Sequence, residues 1–136
     1  MGPTKKSEKL KRLVTVQRHM ERMAESDLAF TAQRREENAA SMSSVMQAIG
    51  SLEPVHRLFA QNYADRFDRL TNADKQLASL QHGQEIMVLR ERAKGDRLEE
   101  NMKDARVFED RAADDDAIYD LVDMKFATTA SSKVHE

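Results

Sequence analysis

The chain has 136 residues, enough for one domain; 34% of them are charged, 5% are aromatic, and there is no tryptophan. This composition lacks the bulk for a thick core and favours Ala, Glu, Lys, Arg, Leu, Met and Gln, which lose least rotamer freedom in a helix. A net charge of -2 lacks the basic excess of a nucleic-acid binder, and the absence of cysteine excludes disulfides, thiolate zinc sites and thiol nucleophiles.

Residues 1–7 are basic and are expected to be flexible. No apolar signal core follows them, and no run approaches the roughly 20 apolar residues that span a bilayer, so the expectation is a cytoplasmic protein without stable membrane insertion. Ser7 offers an N-cap to a first helix over 8–49. Apolar or small residues recur in steps of three and four through Leu10, Leu13, Met20, Ala24, Leu28, Thr31, Met42, Val45 and Ile49. Gln17, Arg35 and Asn38 fill the intervening positions, and the whole reads as a coiled-coil seam. Two consecutive steps of four, from Met20 to Ala24 to Leu28, predict a local relaxation of the supercoil.

Gly50-Ser51-Leu52-Glu53-Pro54 is the best turn, with Gly50 suited to a left-handed C′ position, Ser51 to an N-cap and Pro54 to the first turn of a new helix. A second helix is predicted over 55–126. Its seam runs through Leu58, Phe59, Tyr63, Phe67, Leu70, Ala73, Leu77, Leu80, Met87, Leu98 and Met102. Gly83 and Gly95 each cost about 1 kcal/mol against alanine inside a helix, which makes His82-Gly83 a candidate kink. Residues 127–136, rich in Thr and Ser, are expected to be a disordered tail.

Two seams joined by a short turn predict an all-α fold, an antiparallel two-helix coiled-coil hairpin with a longer second helix. With the turn centred near Leu52, partners should have residue numbers summing to about 104, so that Val45 faces Phe59, Thr31 faces Ala73, Ala24 faces Leu80 and Gln17 faces Met87. Arg35 and Asn38 then fall opposite Arg66, Arg69, Asp65 and Asp68. They either form a polar layer that fixes register or snorkel to water. The second helix should outlast the first from near Glu100, leaving an acidic overhang with apolar side chains that must dimerise, bend back or meet a partner.

Catalytic signatures are absent: there is no phosphate loop, HExxH, GxSxG or EF-hand spacing. His19, His56, His82 and His135 each lack a second ligand three or four residues away, and Asp114-Asp115-Asp116 point 100° apart on a helix, so neither metal nor cofactor is expected. The methionines read as seam fillers suited to adaptable surfaces. Basic residues gather at the start (Lys5, Lys6, Lys9, Lys11, Arg12) and acidic ones from Glu109 to Asp123, a distribution that orients charged protein partners or, for the basic end, an anionic surface.

Leu10-Lys11-Arg12-Leu13 opens the first helix, with Glu21 and Glu25 following; the longer second helix is rich in Arg and Glu and closes on Glu109-Asp110-Arg111 and repeated Asp. Over residues 8–123 this resembles the FliJ-type flagellar export proteins and their counterparts in type III secretion injectisomes. The resemblance implies a small cytoplasmic hairpin, similar to the stalk of rotary ATPases and peripheral to the membrane export apparatus. It would be a non-enzymatic accessory protein that binds the export ATPase and the export gate and escorts export chaperones. Gate-binding residues of the family lie early in the second helix at i, i+4, i+7, i+11 spacing. Phe59, Tyr63, Arg66 and Leu70 match that spacing, although Arg66 and Leu70 depart from the family's small and polar choices and all four also fit the seam. Leu10 and Leu13, with Glu109, Asp116 and Tyr119 of the overhang, would enter the ATPase ring. The rival expectation is a structural or adaptor coiled coil, a homodimer unrelated to secretion.

Overall fold

A computed structural model describes residues 5–135, with side chains through residue 131; the expectations for residues 1–4 and 136 lie outside the described residues. Three helices follow one another, α1 (Lys6–Ile49), α2 (Pro54–Leu58) and α3 (Ala60–His135), with no strand among the described residues. The chain is an all-α hairpin in which α1 and the longer α3 pack antiparallel. Contacts divide it into two units, Val16–Gly95 and Met1–Thr15 with Asp96–Glu136.

The inward stripe of α1 keeps strict three-four alternation. Within the first unit it runs Gln17, Glu21, Ala24, Leu28, Thr31, Arg35, Asn38, Met42, Val45, all buried or half-buried. The expected heptad break is therefore absent. Leu13 and Met20 are exposed, and the stripe passes through Val14 and Glu21 instead. On α3 the same alternation gives Tyr63, Phe67, Leu70, Asp74, Leu77, Gln81, Gln84, Val88, Glu91 and Gly95. Ala73 and Leu77 do lie inward, but Leu80 and Met87 are exposed beside the seam. In the second unit the stripes are Ser7, Leu10, Val14 on α1 and Leu98, Met102, Ala105, Glu109 on α3. A strict 3.5-residue repeat on both helices is the geometry of a left-handed coiled coil.

The register differs from the expected one. Cross-pair bonds join Gln17 to Glu91, Asn38 to the carbonyl of Leu70, Arg35 to Gln81 and Ser7 to Glu109, so paired numbers sum to 108–116 rather than about 104. The added length lies in α2, which buries no side chain, together with Phe59, whose φ of -102° and ψ of 14° interrupt the helix. Inside the turn, no glycine among the described residues has positive φ, so Gly50 does not form the left-handed cap. Instead its N–H bonds Met46 O at 3.1 Å and the Ser51 N–H bonds Ala48 O at 3.2 Å. Glu53, without a side-chain bond, takes the N-cap position expected for Ser51, whose Oγ accepts the Glu53 N–H at 3.2 Å.

Helix α3 passes through Gly83 and Gly95 unbroken, and it continues as helix beyond residue 126 to His135, where a disordered tail was expected. The apolar content of the seam is small. Among the described residues only Val45 (6% exposed), Val88 (6%) and Met102 (8%) are buried hydrophobics, beside buried Ser7, Gln17, Thr31 and Glu91. Hydrogen bonds across the pair therefore fix the register that a thin apolar stripe leaves loosely specified.

Candidate protein-interaction surfaces

The polar layer bonds across the pair rather than snorkelling. Arg35 Nε donates to Asp74 Oδ1 at 3.1 Å and Nη1 to Gln81 Oε1 at 3.1 Å, while Asn38 Nδ2 donates to Leu70 O at 2.8 Å. The predicted opposites, Arg66, Arg69, Asp65 and Asp68, are exposed, because they lie off the stripe that runs through Tyr63, Phe67, Leu70 and Asp74. A second layer joins Gln17 to Glu91. The Gln17 amide donates to both the Glu91 carbonyl, at 3.1 Å, and the Glu91 carboxylate, and Lys94 Nζ lies 3.3 Å from that carboxylate. The Gln17 bond, with help from Lys94, holds the Glu91 carboxyl below its ordinary range.

Outside these layers, the two sides of Val16–Gly95 differ. On one side Arg18 pairs with Glu21 at 2.8 Å, and Arg92 bridges Glu21 and Glu25 at 3.2 Å each. The bond from Arg18, ahead of that from Arg92, depresses the Glu21 pKa, and Glu25 and then Glu21 raise that of Arg92. The opposite side is an open groove of about 210 Å³ whose lining includes Met20, Met23 and Asp27 of α1 with Gln84 and Met87 of α3.

In the second unit, Glu109 reaches the start of α1. Its Oε1 accepts the Ser7 N–H at 3.0 Å and its Oε2 accepts the Ser7 hydroxyl at 2.5 Å. Ser7 therefore lies inside α1 rather than capping it, and the carboxylate of α3 satisfies a donor that a helix N-terminus leaves open, where the helix dipole favours negative charge. The Ser7 side-chain bond, then the backbone bond, pull the Glu109 pKa down. A depressed carboxyl contributes stability that is present above its unfolded pKa and is lost as pH falls through the folded one. Protection of the Ser7 amide, taken relative to its intrinsic exchange rate at each pH, should therefore fall as pH drops below the ordinary glutamate range, and in Glu109→Gln it should already be low at neutral pH and change little with acid.

Pairing reaches Glu109, beyond the Glu100 expected for the start of the overhang. From Asp110 to Ser131 every residue is exposed. Along this stretch Asp116, Asp120 and Asp123 share one helical face, and Ile118, Leu121, Val122 and Phe126, all exposed, share the opposite one.

The residues predicted from the family pattern scatter over these surfaces. Tyr63 and Leu70 are half-buried seam residues, with the Tyr63 ring edge-on to His56 at 5.8 Å, while Phe59 and Arg66 are exposed, so the four do not form one face. Leu10 is half-buried against a groove that also includes Ala105 and Phe108, and Leu13 is exposed. Glu109 serves the α1 cap, and Asp116 and Tyr119 stand free in the exposed segment. Sequence reasoning missed the Met20–Met87 groove. Its signal is a second three-four spacing, one residue ahead of the seam.

Among the described residues no three His, Cys, Asp or Glu side chains converge to hold a metal ion, and no helix is long and apolar enough to cross a membrane. No protein-family model, curated protein or solved structure matches the chain.

Proposed function

We propose that this protein is an accessory coiled-coil stalk of a bacterial flagellar, type III, protein export apparatus, binding the export ATPase and export gate from the cytoplasmic side and escorting export chaperones. The observation that carries the reading is that α3 outlasts α1, leaving residues 110–131 as a helix with an apolar face and an acidic face exposed. Exposed apolar side chains on a helix end are the feature by which a partner gains binding energy, and the acidic face opposite them orients a basic one. The resemblance of the sequence to FliJ-type proteins names the partner.

The test is binding of the full chain to the cognate export ATPase by calorimetry. Deleting residues 110–131 should weaken binding at least tenfold while the paired helices stay folded, because every residue of that segment is exposed. A full chain that does not bind the ATPase contradicts the proposal. So does a truncated chain that binds equally well.

A further inference from the structure

A pair of helices has two outer sides, and in Val16–Gly95 they are built differently. One is closed: Arg18 lies over Gly95 so tightly that a Cβ there would come within 2.6 Å of its Nη1, and Glu21, Glu25 and Arg92 complete an ion-pair network. The other is open and apolar, with Val16, Met20, Met23 and Phe30 of α1 and Leu80 and Met87 of α3 all exposed along it. Each of the six precedes a seam position, so their spacing follows the three-four alternation of the seam itself.

Three polar residues on this side select what covers it. Asp27 and Gln84 line the methionine groove together, one from each helix, and so stand at one level. Gln84 Oε1 is buried and has no hydrogen-bond donor among the described residues. Arg90 is exposed six residues further along α3, or roughly 9 Å, and like the six apolar residues it precedes a seam position. One level thus carries a carboxylate and an orphan acceptor, the other a cation, and the midpoint between them is Met87. Because α1 runs the opposite way, that midpoint falls three residues back from Asp27, beside Met23 and Ala24. These residues form the middle of the groove.

Such a side is complementary to itself. A second copy turned end for end and laid open side down sets α1 on α1 and α3 on α3, antiparallel about the level of Met87. Positions equally far to either side of that level then meet. Arg90 of each copy faces Gln84 of the other and lies beside its Asp27, and a guanidinium has donors enough for both the carboxylate and the orphan oxygen. Val16 meets Phe30, since they stand seven residues to either side of Met23. Met23 and Met87 each meet their own counterparts, where flexible thioethers adapt to one another. A Cβ on Gly83 would touch nothing within 4 Å, so the space above it admits the incoming Arg90 stem. Laid parallel instead, the two sides would put Asp27 over Gln84 and Arg90 near Met20, with both charges unmatched. We propose that the methionine side of Val16–Gly95 is a self-complementary interface on which a second copy of this chain docks antiparallel, through two Arg90–Asp27 pairs. Its footprint, about 21 Å long and about 20 Å wide, buries roughly 800 Å² over both copies, which places dissociation at micromolar and not nanomolar concentrations. The interface uses none of residues 110–131, so it stands or falls apart from the export reading.

Sedimentation equilibrium of the full chain over about 1–200 µM tests it. The wild type should rise from the mass of one chain toward that of two as concentration increases. Asp27→Arg sets arginine against Arg90, and Arg90→Asp sets aspartate against Asp27, so each variant alone should associate about tenfold more weakly or worse. Both side chains are exposed, so the helical circular dichroism stays that of the wild type. An equimolar mixture of the two variants should recover the wild-type affinity, because every arginine then faces an aspartate. Met23→Glu, which brings two carboxylates together at the centre, should hold the chain at the mass of one. A wild type that stays at the mass of one chain at about 200 µM overturns the proposal. So does a dimer that the charge reversals leave intact, or a mixture that fails to associate, because either result puts the contact elsewhere.

Discussion

Replacing Gln17 alone with leucine should lower the thermal midpoint, by about 5 °C, and replacing Gln17 and Glu91 together with leucine should raise it by a similar amount. The opposite signs follow from where the charge is left. In the protein, the buried Glu91 carboxylate is held by the Gln17 amide and by Lys94. Removing Gln17 leaves the carboxylate facing apolar surface with one partner at the rim, and a buried group robbed of its bond costs the full desolvation penalty. Removing both partners converts the layer to facing leucines, and such replacements are commonly neutral or stabilising. The double variant should also lose uniqueness of register, because the Gln17–Glu91 bonds that distinguish this register from one a turn away are gone. Thermal melts by circular dichroism read the first effect, and mobility of disulfides engineered between α1 and α3 reads the second.

Val88→Asp should leave the helices mostly unfolded at 25 °C. Val88 is one of three buried hydrophobic residues among those described. A carboxylate there, one turn from Glu91 on the same stripe, is an unpaired buried charge costing about 3 kcal/mol or more. Val88→Ala removes two methyl groups at about 0.8 kcal/mol each and should only lower the midpoint. The expected readings are loss of more than half the helical ellipticity for the aspartate and retention of it for the alanine. Equal behaviour of the two variants would mean that the seam does not depend on this layer.

The fold class was legible in the sequence because two long segments without internal proline flank a Gly-Ser-Leu-Glu-Pro turn. Two features were harder to read, and both for the same reason. Apolarity predicts the inward face, yet this seam turns Gln17, Glu21, Arg35 and Asn38 inward while Met20, Leu80 and Met87 stand outside it. Hydrophobic pattern alone therefore drew Leu13, Met20 and Met87 into the stripe and reported a heptad break where the repeat is strict. The register error has a separate cause. Pro54 does start a helix, but Phe59 ends it five residues later, and nothing in the local sequence marks that interruption. The exposed acidic segment was anticipated, though its start moved from Glu100 to Asp110. Glu109 is what extends the pairing, and a carboxylate that caps another helix from 102 residues away leaves no trace in local spacing.

Hydrogen–deuterium exchange on the dilute chain tests the central claim, that two helices pair as far as Ser7 and Glu109 and leave the rest of α3 alone. Protection should run along α1 and along α3 to Glu109, then fall to nearly full exchange from Asp110 onward, because a lone helix frays without tertiary packing. Protection that ends near Glu100, or that continues undiminished through residue 131 in a chain shown to be monomeric, would contradict it.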